Sequence, residues 1–142
     1  MTKLDLQLKI LDLEKLDFYE DEYVWFERRE GFVYGVYKRG KIITLGIAKQ
    51  IVQRRLEFCG YKDTLFIAAE DGIKGIKRDA RQFLSSPEGV RGVKAGAMVS
   101  NSVLGTHLAN FFIKISVVKK SVPIKLFNSV EAAEKWLEDY ID

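Results

Sequence analysis

Glu70 and Asp71 are the adjacent carboxylates best placed to do chemistry, because they follow the apolar run Thr64-Leu-Phe-Ile-Ala-Ala69. Acids at the carboxyl end of a central strand stand where α/β proteins bind ligands. With Lys77 beyond them they form a candidate loop site. The same pair suits a solvated turn, since Gly72 and Gly75 follow closely. His107 is the only histidine, so an imidazole-based triad or metal cage would rest on it alone. It lies beside Thr106 and Asn110 on a polar stripe of an otherwise apolar segment, a pattern that equally fits an ordinary surface histidine. A deep cleft joining Glu70 and Asp71 to Lys94 or His107 would be needed for acid–base work.

Other chemistries fail on residue type or spacing. A single cysteine, Cys59, excludes an intramolecular disulfide and any multi-cysteine zinc site. Its place at the end of an apolar helix reads as a packed thiol. Gly72 and Gly75 do not make a phosphate-binding loop. Arg54-Arg55 and Lys77-Arg78 with Arg81 are basic clusters without an aromatic stacking platform, so nucleic acid is not indicated. No catalytic, metal or cofactor site is assigned, and the expectation is a protein that binds rather than catalyses.

The elements that must carry these residues read clearly from periodicity. Leu4, Leu6, Leu8 and Ile10 alternate with polar residues, as in a half-buried strand, and 11–20 reads as irregular. Tyr23–Arg29 and Phe32–Tyr37 are aromatic and β-branched, and Glu30-Gly31 between them suits a hairpin turn. Arg39-Gly40 is a second turn, and Lys41–Thr44 a short extended segment. Thr44 caps a helix whose apolar face is Ile47, Ala48, Ile51, Val52 and Leu56, and Gly60 ends it. The run 64–69 is a strand apolar on both faces. Ile76, Ala80, Phe83 and Leu84 mark a short helix, and Ser86-Pro87 a capped single turn. Residues 92–99 form a strand, 101–115 an apolar helix and 122–127 a strand. Asn128, with Glu131 three residues later, caps the last helix, whose buried stripe is Val130, Ala133, Leu137, Tyr140 and Ile141.

This grammar predicts an α/β fold. A mostly parallel five-stranded sheet carries an N-terminal antiparallel hairpin and is covered by about four helices. At 142 residues one domain is natural, taken as 22–142, preceded by an acidic strap or extra strand over 1–21. The first 22 residues carry a net −4 and the rest +7. No signal peptide is legible and no apolar run is long enough to span a bilayer, so cytoplasm is the expected location.

Several strings in this order resemble the STAS superfamily of anti-sigma-factor antagonists and its small relatives akin to the CRAL-TRIO lipid-binding domain. They are Ile43–Lys49, Asp79–Ser86, Val93–Ser102, Asn110–Lys114, and Pro123–Phe127 continuing to Trp136-Leu137. The resemblance, over about 22–142, implies a STAS-like fold and a regulatory or protein-interaction role. Antagonists of that kind are switched by phosphorylation of a Ser or Thr where the loop after a central strand enters its helix. The matching stretch here, 71–80, has no hydroxyl residue, so that switch is not carried over.

The helix at 103–115 holds more apolar residues than a sheet-covering stripe requires. Leu104, Leu108, Phe111, Phe112 and Ile115 are the candidate face. Either packing within the monomer, a protein partner or second copy, or a lipophilic ligand or membrane surface would bury the surplus. Small residues between Gly92 and Ala97 are expected to admit this helix tightly onto the sheet.

Overall fold

The computed structural model describes residues 13–119 and 122–142, and only the backbone of 115–119. Six strands form one sheet in the order β1 (Phe18–Glu20), β2 (Val24–Arg29), β3 (Phe32–Tyr37), β5 (Thr64–Glu70), β7 (Val93–Val99), β8 (Ile124–Phe127). The first three are antiparallel, and β3, β5, β7 and β8 run parallel. The extra strand relative to the five expected is β1, three residues inside the segment read as irregular. It is too short to display an alternation. The alternating stretch 4–10 lies outside the described residues.

Glu30 and Gly31 close the hairpin with Arg29 opposite Phe32, and the turn places Gly31 at φ +86°, a conformation that glycine adopts without strain. The extended piece after Gly40 is β4 (Ile42–Ile43), which pairs with β6 (Gly75–Ile76) in a separate two-stranded sheet. Helix α1 (Leu45–Phe58) begins where Thr44 Oγ1 accepts from Ile47 N and ends before Gly60 in the left-handed region. Next come α2 (Arg78–Leu84), α3 (Val103–Lys119) and α4 (Val130–Leu137). The cap of α4 is Ser129, whose Oγ accepts from Ala132 N at 3.2 Å, rather than Asn128. Both residue types cap well, and the residue that takes up extended backbone decides. Ser86 Oγ accepts from Gly89 N, so the proline turn is capped as its sequence implies.

The chain advances across the sheet in one direction, from β3 through β5 and β7 to β8. Right-handed crossovers therefore place α1, α2 and α3 on the same face. Val24, Phe26, Val33, Phe66, Ile51 and Phe58 pack there. Helix α4 follows the last strand, starts no crossover, and packs on the opposite face. It covers Leu65, Ile67, Ala95 and Ala97 with Ala133 and Leu137. Beyond it the aromatic row Phe18, Trp25 and Tyr34 packs on itself across β1, β2 and β3.

The small residues of β7 thus serve a different helix from the one expected. Ala95 and Ala97 point to α4 and allow its close approach through Ala133. Gly96 points to the other face, and α3 leans on β8 rather than settling onto it. A side chain missing from the strand and a helix displaced to one side leave unfilled space between them.

Candidate functional site

That space is an apolar cavity of about 160 Å³, partly open to solvent. Leu108, Ala109 and Phe112 of α3 roof it, and Phe66, Gly96 and Met98 form its floor. Tyr37 from β3 and Arg55 from the last turn of α1 join this apolar lining, as do Glu70 and Ser100. Tyr37 is half-buried, and burial pushes its hydroxyl above the usual phenol range, with Arg55 opposing. Its hydroxyl has no hydrogen-bond partner among the described residues. Arg55 donates to the carbonyls of Gly89 and Arg91. Burial lowers its pKa, and nearby Cys59 and Tyr37 work against that shift. Among the described residues no carboxylate lies within ion-pair distance of Arg55. Arg54 beside it bonds Glu57 at 3.0 Å.

At Glu70, which stands opposite Tyr37 in the sheet register, a polar clasp fastens α3 to β5. Ser102 Oγ donates to Glu70 Oε1 at 2.6 Å and accepts from Gly105 N at 2.9 Å, so one hydroxyl caps the helix and ties it down. Glu70 Oε2 accepts from the backbone N–H groups of Gly72 and Ile73. Partial burial pushes the Glu70 carboxyl upward, but the hydrogen bonds from Ser102, Gly72 and Ile73 together win and hold it below the usual range. A side chain at 105 would displace the side chains of this clasp. A Cβ would stand 2.0 Å from Ser100 Oγ and 2.9 Å from Glu70 Oε1.

The candidate residues read from sequence are divided by this arrangement. Leu108 and Phe112 are buried and face the cavity. Leu104, in the first turn of α3, is 37% exposed beside Val103 at 90%. Phe111 is half-buried, edge-on to Phe112 and beneath the Arg81 guanidinium. The Ile115 side chain lies outside the described residues. In the candidate loop, Glu70 is a structural acceptor. Asp71 is exposed near Arg39 at 3.8 Å, and Lys77 is exposed at the start of α2. Lys94 pairs with Asp142 at the opposite end of the sheet, and His107 is exposed, so neither meets Glu70 in a deep cleft. Among the described residues no group of three His, Cys, Asp or Glu side chains could hold a metal ion. Nor is any helix there long and apolar enough to cross a membrane.

Tyr37, Arg55 and Gly105 were not legible as site residues. Tyr37 reads as a hairpin aromatic and Arg55 as half of a basic pair. Their convergence depends on β3 and α1 facing the same void.

Residues 24–141 match a family described as "Domain of unknown function (DUF7793)". The chain belongs to that family. No curated protein matches it. Among solved structures it is similar to an uncharacterised DUF3478-family protein with a SpoIIAA-like fold from Shewanella loihica PV-4. The identity is 13%, the TM-score 0.55, and the match covers 84% of this chain and 98% of that one. The fold is therefore SpoIIAA-like, as the sequence strings imply.

Proposed function

We propose that the chain is a non-catalytic regulatory or protein-interaction module of STAS-like type, with α3 as its working element. The observation that carries the reading is the apolar cavity roofed by α3. A ligand entering there touches the helix whose first turn presents Val103 and Leu104 to a partner. Glu70 supports a structural rather than a catalytic role, because both its oxygens already accept hydrogen bonds. The module lacks the phosphorylatable hydroxyl of the antagonists at 71–80, and a small lipophilic ligand takes the place of that covalent signal.

A neutral probe tests this. Millimolar 1-hexanol should raise the melting temperature of the wild-type chain and slow amide exchange along α3. Gly96→Val, which fills the cavity, should abolish both effects. Hexanol that leaves melting and α3 exchange unmoved would overturn the reading. The partner side is tested by sedimentation equilibrium. Wild-type chain should self-associate and Leu104→Asp should shift it towards monomer with its circular dichroism retained. A wild-type chain monomeric at all concentrations excludes a second copy as the partner.

A further inference from the structure

We propose that the cavity beneath α3 is a binding site for a small monocarboxylate, an acid of about six to ten non-hydrogen atoms. Its apolar body lies against Phe66, Leu108 and Phe112, and its carboxylate is held by Tyr37 and Arg55. This rests on the ligand-responsive reading of α3 and adds the chemical class of the ligand.

Three observations carry it. The first is size. A cavity of about 160 Å³ is close to the roughly 150 Å³ of an engineered apolar cavity that stays dry and takes up benzene. It is too small for a long acyl chain. The second is the Tyr37 hydroxyl, a donor on a half-buried side chain of the lining that meets no acceptor among the described residues. It is a phenolic donor available to an acceptor that enters the cavity beside Arg55. The third is charge. Arg55 has five N–H donors in a planar fork, and the two protein acceptors it reaches, Gly89 O and Arg91 O, are both neutral. A half-buried guanidinium with no carboxylate within ion-pair distance among the described residues meets only neutral acceptors, and a carboxylate is the group whose geometry best matches the fork. Glu70 also lines the cavity, but Ser102 and two backbone N–H groups already occupy its carboxylate. The ligand's anionic end is thereby directed towards Arg55.

Calorimetric titration of the full chain with chain-matched probes tests the assignment. Hexanoate and benzoate should bind with sub-millimolar Kd, at least tenfold more tightly than 1-hexanol and benzyl alcohol. Arg55→Met should remove that preference while leaving hexanol affinity unchanged. Tyr37→Phe should weaken hexanoate severalfold, and it provides the test if Arg55→Met does not fold. Palmitate should bind no better than hexanoate. If hexanol binds and hexanoate gains nothing, the carboxylate assignment fails while the α3 reading stands. If neither binds, both fail. Palmitate binding tightly would overturn the small-ligand claim in favour of a lipid.

Discussion

Residues 95 and 96 are neighbours on β7 with opposite surroundings, and substituting each separates a filled face from an unfilled one. A Cβ at Gly96 would meet Val93 Cγ1 at 3.7 Å and Ile124 Cγ1 at 3.9 Å, both ordinary contacts. Replacing an interior glycine by alanine recovers about 0.5–1 kcal/mol of backbone entropy. The added methyl group buries for about 0.8 kcal/mol more. Gly96→Ala should therefore stabilise the protein by about 1–2 kcal/mol, a rise of about 3–7 °C in Tm for a chain of this size. Ala95 is fully buried against Ala133 and Leu137. Ala95→Val adds two methyl groups where none fit and should cost about 1–3 kcal/mol. Urea unfolding of both variants, with the slope m unchanged, measures the contrast. A Gly96→Ala protein destabilised as much as Ala95→Val would mean that the space beneath α3 is already filled, and the account of α3 leaning on β8 would be wrong.

Three further outcomes follow from the clasp and from Cys59. Ser102→Ala removes both the α3 cap and the bond to Glu70, and should cost about 1 kcal/mol, with faster amide exchange in the first turn of α3. Glu70 has a folded pKa below its unfolded value, so its contribution is present above about pH 4.3 and is lost as pH falls through the lower folded value. Acid titration followed by amide exchange should therefore loosen residues 102–106 before α1, and Ser102→Ala should blunt that difference. Burial pushes the Cys59 thiol upward, with Thr64, Arg55 and Arg28 opposing, so iodoacetamide at pH 8 should modify it far more slowly than a free thiol. Modification at the free-thiol rate would show that Cys59 is open to solvent.

Local signals made much of this fold legible. Val24 and Phe26 alternate with Trp25, Gly31 permits the hairpin turn, Thr44 caps α1, and Leu65–Ile67 read as buried on both faces. Each is a property of a few consecutive residues, so the α/β grammar and the direction of the crossovers could be stated in advance. Strand β1 could not, because three residues cannot show a period. The cap of α4 moved by one residue, since Asn128 and Ser129 are equivalent by type and only backbone conformation separates them.

The candidate site was not written in any such pattern. The run Gly92–Ala97 announces close packing without saying on which face, and the tertiary structure assigns Ala95 and Ala97 to α4 and leaves Gly96 under α3. Leu108 and Phe112 announce burial, but not that the surface they cover is hollow. Tyr37 and Arg55 are eighteen positions apart and acquire a joint role only because a hairpin strand and the end of a helix border one void. Periodicity encodes which residues leave water. Empty volume depends on how far a helix stands from a strand, and that distance is set by packing across the whole sheet rather than by any one segment.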